Sequence, residues 1–221
     1  MIYDSIIIGA GPASLSAALY LKNANKNILI LEKNEYKTKT ILIACGRVEK
    51  KLDILKEHAL NISYCAKCDG SLYNGKDVML IGNNKESEND AIYLSNIVNS
   101  LIYVNYSDDD VTFDKDNIKV INKKINNLNV NDEIIKTVTI DDKEYAIDGL
   151  FIENGYTPNI DFIKSLNIKL DNNYIVVDEN MKTNIDGIYA SGDIIKKKVY
   201  QIVTAASDGA VAALSIIKDL K

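Results

Sequence analysis

The sequence predicts an α/β fold made of two nucleotide-binding-like (Rossmann-type) domains, the second inserted into the first. Two glycine-punctuated β-α-β patterns predict it. Residues 2–8 form an apolar run that ends at Gly9-Ala10-Gly11-Pro12-Ala13-Ser14, and residues 77–81 form another that ends at Gly82. Each leads into a helical pattern and then a further strand. A third observation closes the first domain late in the chain. Gly187-Ile188-Tyr189-Ala190-Ser191-Gly192-Asp193 reads as a strand stopped by Gly-Asp, ahead of a long apolar helix from about Thr204 to Asp219.

The first run has the look of a strand buried in a parallel sheet. From Pro12 to about Asn25, Leu15, Ala18 and Leu19 recur at helical spacing, and Pro12 suits a first helical position that needs no amide donor. Residues 27–31 give the second strand, closed by Glu32, and Thr40–Ala44 a third ending at Cys45-Gly46. In the second unit a helix over 86–99 carries Ala91, Leu94 and Val98 on one face, and Leu101–Asn105 is a strand. Residues 107–148 read as short strands with polar turns; Gly149–Ile152 resumes an apolar strand that Gly155-Tyr156-Thr157-Pro158 breaks. These boundaries place one discontinuous domain at 1–61 and 151–221, and a central domain at 62–150.

Composition narrows the class. A chain of 221 residues holds one large core or two small ones, at ~150 residues per domain. The formal net charge of −5 argues against nucleic acid and anionic membranes as partners, since both select basic surfaces. No apolar run approaches the ~20 residues that span a bilayer. The start of the chain has no basic segment before its apolar run, so it reads as a core strand and not a signal peptide. Three cysteines do not make a secreted disulfide framework, and the expected location is cytoplasmic.

Four constellations carry chemistry. In Gly9-x-Gly11-x-x-Ser14, Gly9 makes the tight turn and Gly11 lets the backbone approach a pyrophosphate at the helix N-terminus. Ser14 is small enough for close helix–strand packing. Glu32, about 20 residues on, is placed to accept hydrogen bonds from an adenosine ribose; a plain tight turn is the bland alternative. Cys65-Ala66-Lys67-Cys68-Asp69 is the second. A redox disulfide, half of a zinc site completed by Cys45 and His58, and two inert thiols all remain open for it. In the redox reading Asp69 is a proton donor or acceptor. The third is Gly192-Asp193 with Gln201 and Ile202 before the last helix, where Asp193 would bind polyol hydroxyls and the helix N-terminus would favour an anionic ring; a helix cap is the alternative. The fourth is an absence. After Gly82 the chain reads Asn83-Asn84-Lys85-Glu86-Ser87-Glu88, and after the next strand Asp108-Asp109-Asp110. Further glycines and arginines would be needed there for a pyridine nucleotide phosphate. Unless these acids are only a solvated face, the second unit is not expected to bind NADPH.

Taken together, these residues resemble the low-molecular-weight thioredoxin reductases. Tyr64-Cys65-Ala66-Lys67-Cys68-Asp69-Gly70 looks like the redox signature of that family. Ile188–Asp193 and Gln201-Ile202-Val203-Thr204-Ala205-Ala206 look like its flavin-binding C-terminal signature. The segment 81–88 is more similar to the branch that lacks NADPH motifs and takes electrons from ferredoxin. The resemblance implies a FAD flavoprotein, possible as a homodimer, with a thioredoxin-like substrate. It implies Cys68 as the flavin-facing thiol, Cys65 as the thiol that attacks the substrate disulfide, and Asp69 as the nearby acid. Gly9, Gly11, Pro12, Ser14, Glu32 and Gly46 would serve the FAD pyrophosphate and ribose side; Asp193, Gln201 and Ile202 would lie along the ribityl chain and ring. Two departures stand out. Only four residues separate Lys33 from Thr38, where family members carry a long stretch, so the FAD domain is shortened; and position 200 is Tyr where NADPH-using members often have Arg. Two rival readings follow: a non-catalytic relative that only binds or dimerises, and an ordinary NADPH-dependent thioredoxin reductase.

Overall fold

The computed structural model describes residues 2–31, 37–50, 52 and 59–221. In chain order the elements begin with β1 (Ile2–Ile8), α1 (Pro12–Asn23), β2 (Ile28–Leu31), β3 (Lys37–Ile43) and β4 (Arg47–Glu49). Then come β5 (Ile62–Ser63), α2 (Ala66–Asp69), β6 (Asp77–Gly82), α3 (Lys85–Ser95) and β7 (Ser100–Asn105). The short strands β8 (Ile118–Ile121), β9 (Asn127–Asn131), β10 (Ile134–Ile140) and β11 (Lys143–Ala146) lead to β12 (Gly149–Glu153) and β13 (Tyr156–Pro158). The chain closes with β14 (Leu170–Asp171), β15 (Tyr174–Ile175), β16 (Ile188–Ala190) and α4 (Ile202–Asp219). It divides into two compact units, residues 1–48 with 157–221 and residues 49–156.

The first unit is built on a four-stranded sheet in the order β16-β3-β1-β2. All pairings are parallel, and the register sets Ile8 opposite both Leu31 and Ile43, and Ala190 opposite Ile43. The carboxyl ends of these strands therefore share one edge, where open α/β sheets bind ligands. Only five residues separate β2 from β3, which flank β1 on opposite sides, although parallel strands of one sheet ordinarily need a connection of ~12 residues or more.

Helices α1 and α4 pack together over this sheet. Ala13, Ala17 and Leu21 share a buried cluster with Ala205, Ala212, Ala213 and Ile216. Gly209 permits the close approach, since a Cβ there would stand 2.1 Å from the Ala13 carbonyl oxygen. The spacing of Leu15, Ala18 and Leu19 marks the helix but not its buried face: Ala18 packs against this cluster, whereas Leu15 and Leu19 are exposed. At the contact the helix buries its small residues Ala13 and Ala17, with Leu21 filling the cluster beyond them, while Leu15 and Leu19 face outward.

The second unit has a parallel sheet, β5-β12-β6-β7-β8. Alternation along β6 separates two cores, as a strand covered on both faces requires. Val78 and Leu80 pack with Ala91 and Leu94 of α3, while Met79 and Ile81 pack with Ile135, Val138 and Ile140 of β10. The antiparallel meander β9-β10-β11 thus covers the face opposite α3. Pairing also corrects the domain limits expected at 61/62 and 150/151. Residues 151–153 belong to β12, which pairs with β5 and β6, and Leu52 lies in the β6–β10 core, so residues 49–61 and 151–156 fall in the central unit.

Candidate active site

The carboxyl edge of the first sheet opens into a cavity of about 880 Å³, within the ~300–1,000 Å³ usual for cofactor and ligand sites. Gly9, Gly11, Pro12 and Gly46 line it, together with Asp193, Gln201 and Ile202. Strand register is what gathers them, because Gly9 follows β1, Gly46 follows β3 and Gly192-Asp193 follows β16.

Local geometry gives each glycine a reason. Gly9 has φ +111°, and a Cβ there would lie 2.6 Å from the Ala44 carbonyl oxygen, so only glycine fits the turn. Gly11 has no heavy atom within 4 Å of the place a Cβ would take, which leaves room for an approaching group. It is the N-cap of α1, with Pro12 following and no side-chain cap hydrogen bond. The first-turn amides of α1 are thereby left for an external acceptor, the arrangement that binds phosphate at helix N-termini. These features fit a dinucleotide pyrophosphate. Ser14 is fully buried and donates from Oγ to the Ala44 carbonyl at 3.4 Å, so it packs helix on strand and is not on the cavity wall. Glu32 lies outside the described residues.

At Asp193 the cavity is charged. Arg47 Nε lies 3.8 Å from Asp193 Oδ2, and Lys197 Nζ lies 3.1 Å from Oδ1 and 2.8 Å from Asp208 Oδ2. Asp193 Oδ1 is buried and in ionic contact, yet it lacks a hydrogen bond of proper geometry. Gln201, the N-cap of α4, donates its amide to Thr204 Oγ1 at 3.2 Å. Sequence reasoning missed Arg47, Phe162 and Cys45 as wall residues. Cys45 is part-buried, its Sγ contacts the Asn159 carbonyl at 3.7 Å, and burial pushes its thiol up to about 11.

In the second unit Cys65 and Cys68 are joined by a disulfide. The redox and inert-thiol readings compete on this pair, and the zinc reading loses two of its ligands to the bond, while His58, another of them, lies outside the described residues. Cys65 is the N-cap of α2, and its sulfur accepts the Cys68 amide at 3.2 Å. A hydrogen bond to that sulfur stabilises the thiolate once the bond is opened. Asp69 is held by a residue the sequence reading overlooked. Buried Ser63 donates to Asp69 Oδ2 at 2.8 Å while accepting the Cys65 amide at 3.1 Å. A serine in a two-residue strand gives no sequence signal beyond lying two positions before the first cysteine. Lys67 pairs with the buried carboxylate of Asp90, tying α2 to α3.

The second β-α junction is built differently from the first. A Cβ on Gly82 would meet Ser87 Oγ at 2.3 Å and Tyr103 Oη at 2.6 Å. Asn84 Oδ1 accepts the Ser87 amide at 3.0 Å, and the Asn84 amide donates to Ser87 Oγ at 3.2 Å, a reciprocal cap on α3. The next loop is folded on itself as well, with Asn105 Nδ2 donating to the Asp109 carbonyl at 2.8 Å.

Two glycine-edged parallel sheets, a cavity suited to a dinucleotide and a Cys-x-x-Cys disulfide define the class of flavin-dependent disulfide oxidoreductases. A family model described as pyridine nucleotide-disulphide oxidoreductase matches residues 109–209, and one described as FAD binding domain matches residues 4–49. The chain is 31% identical to the thioredoxin reductase of Mycoplasma genitalium, covering 100% of this chain and 96% of that protein. It is 32% identical to a 34.2 kDa protein in the rubredoxin operon of Clostridium pasteurianum, over 96% and 95% of the two. The crystal structure of thioredoxin reductase from Streptococcus pyogenes superposes with a TM-score of 0.88 at 24% identity, covering 97% of each chain. The chain belongs to the thioredoxin reductase family; it is an oxidoreductase and its cofactor is FAD. The alignment with the Mycoplasma protein runs over 304 positions against the 221 residues here, so at least 83 positions have no counterpart in this chain. Among the described residues no helix is long and apolar enough to cross a membrane.

Proposed function

We propose that the protein is a thioredoxin-reductase-type enzyme that takes electrons from a one-electron protein donor of the ferredoxin kind, not directly from NADPH. It passes them through Cys65 and Cys68 to the disulfide of a thioredoxin-like protein in the cytoplasm. The observation that carries the donor reading is the closed junction before α3. Ser87 and Tyr103 fill the space beside Gly82, Asn84 caps the helix, and Glu86 and Glu88 set negative charge in its first turn. A pyrophosphate needs the opposite: open backbone amides and no anion beside them.

FAD, when bound, supplies the electron pair that opens the Cys65–Cys68 bond. The chain's own residues then do the exchange. Cys65 attacks one sulfur of the substrate disulfide, forming a mixed disulfide and releasing the other sulfur as a thiolate. Cys68 attacks Cys65, restoring the internal disulfide and freeing the second substrate thiolate. Two electrons and two protons leave with the substrate, and Asp69, aligned by Ser63, handles the proton beside the dithiol. The residues proposed for FAD are Gly9, Gly11, Pro12, Glu32 and Gly46, with Asp193, Gln201 and Ile202 toward the ring and Ser14 as packing support.

An anaerobic spectrum tests the proposal. The purified protein, supplied with FAD and desalted, is expected to stay yellow, to remain oxidised when NADPH is added, and to bleach with reduced ferredoxin. Rapid bleaching by NADPH would replace this reading with an ordinary NADPH-dependent reductase. A protein left colourless would favour a non-catalytic relative.

A further inference from the structure

Arg47 is the single arginine in a chain that otherwise carries its positive charge on 25 lysines. A composition that uses lysine wherever a bare charge suffices makes the exception informative. A guanidinium is planar, stacks on aromatic faces and is always charged, none of which an ammonium matches in full. The structure has Arg47 in a setting that uses all three. Its Cζ sits 4.0 Å from the centroid of the Tyr200 ring, and its side chain is only 12% exposed. Tyr200 is in turn 5.5 Å from the ring of Tyr174, and burial raises its phenol above the ordinary value. On its edge Arg47 pairs with Asp193, which Lys197 joins to Asp208. Arg47, Asp193 and Gln201 all wall the cavity.

We propose that Arg47 is a positioning residue of the flavin site: held over the Tyr200 ring, it fixes the Asp193 carboxylate and balances its charge beside the cofactor. The inference rests on the reading of this cavity as the flavin site. Arg47, Lys197, Asp193 and Asp208 together carry no net charge; without Arg47 the remaining three carry one negative charge in a half-buried wall. Two electrons and one proton turn the neutral oxidised ring into an anion. An unbalanced carboxylate nearby therefore weakens the reduced form more than the oxidised one. Ring contact and charge are separable, because a lysine at position 47 restores the charge and not the guanidinium's contact with the ring.

The test uses the full chain as Arg47→Ala and Arg47→Lys, with FAD affinity read by flavin fluorescence and midpoint potential read against a reference dye. Arg47→Ala is expected to weaken FAD roughly tenfold, the scale of a partly buried cation–π contact with its ion pair. Its potential is expected to fall by about 30 mV, which is a further tenfold loss of preference for the reduced form in a two-electron couple. Arg47→Lys should recover the potential and only part of the affinity. Unchanged affinity and potential in Arg47→Ala would overturn the proposal, as would a lysine variant as low in potential as the alanine one. If the wild-type protein takes up no FAD, the flavin reading of the cavity falls and this proposal with it. Wild-type uptake with an indifferent Arg47→Ala removes only the role of Arg47.

Discussion

The two β-α junctions of this chain start from the same plan and end as opposites. After β1, Gly9 and Gly11 hold back side chains, and α1 begins without a side-chain cap beside a cavity. After β6, Gly82 is packed tight under Ser87 and Tyr103, and α3 carries its own reciprocal cap. An uncapped helix start is a cost to folding unless a ligand supplies the acceptors. The difference teaches that one β-α plan can be built with an open helix start or with a capped one. The second sheet keeps the fold through its two cores, while Ser87 and Tyr103 fill the space beside Gly82, and Asn84 caps α3.

Substituting the two glycines breaks this comparison most directly. At Gly9, alanine brings both a strained φ of +111° and a backbone contact at 2.6 Å that cannot swing away. The expected cost is about 2–3 kcal/mol in stability, with FAD uptake abolished. At Gly82 the obstacles are side chains, Ser87 and Tyr103. Gly82→Ala is expected to lower stability while the folded protein keeps a full complement of FAD. Denaturant unfolding and the flavin-to-protein absorbance ratio check both. Equal flavin loss in the two variants would mean that the junctions do not differ in the way argued.

How much of this was legible in the sequence depended on whether one residue type could do the job alone. The strands at 2–8 and 77–82 were legible because an unbroken apolar run stopped by glycine has few other meanings. Helix α1 was legible from its spacing but its buried face was not, since hydrophobic spacing cannot show that a second helix, with Gly209, demands small residues on the buried side. Domain limits slipped because Leu52 and β12 declare their unit only through pairing partners. Cys65, Cys68 and Asp69 stood out by adjacency. Ser63 and Arg47 act through contacts with residues 6 and 153 positions away, which no local pattern reports.

The cap on α3 offers a gentler test. Asn84→Ala removes the acceptor for the Ser87 amide, and loss of an N-cap typically costs ~1 kcal/mol. The expected outcome is a small fall in the denaturant midpoint with flavin content and dithiol exchange unchanged, because the acids at 86 and 88 remain. If the variant instead began to accept electrons from NADPH, the cap alone would have been the barrier.

The smallest effect sits on the cavity side of the comparison, in the thiol of Cys45. Burial raises it from 9.0 to about 11. The sign follows from proton linkage. Between pH 9 and 11 the unfolded chain gives up the Cys45 proton while the folded chain retains it, so unfolding becomes more favourable as pH rises. Below pH 9 both states hold the proton and the thiol contributes no slope. Stability of the wild-type protein should therefore fall through that window more steeply than that of Cys45→Ala, whose curve keeps only the slope due to other groups. Chemical denaturation of the two proteins at pH 8, 9, 10 and 11 measures the difference. A bound FAD reaching the Cys45 wall would bury the thiol further and push the window upward, so repeating the series with excess FAD ties this thiol to the cavity. Parallel curves for wild type and Cys45→Ala across the whole range would show that the thiol is open to water in solution.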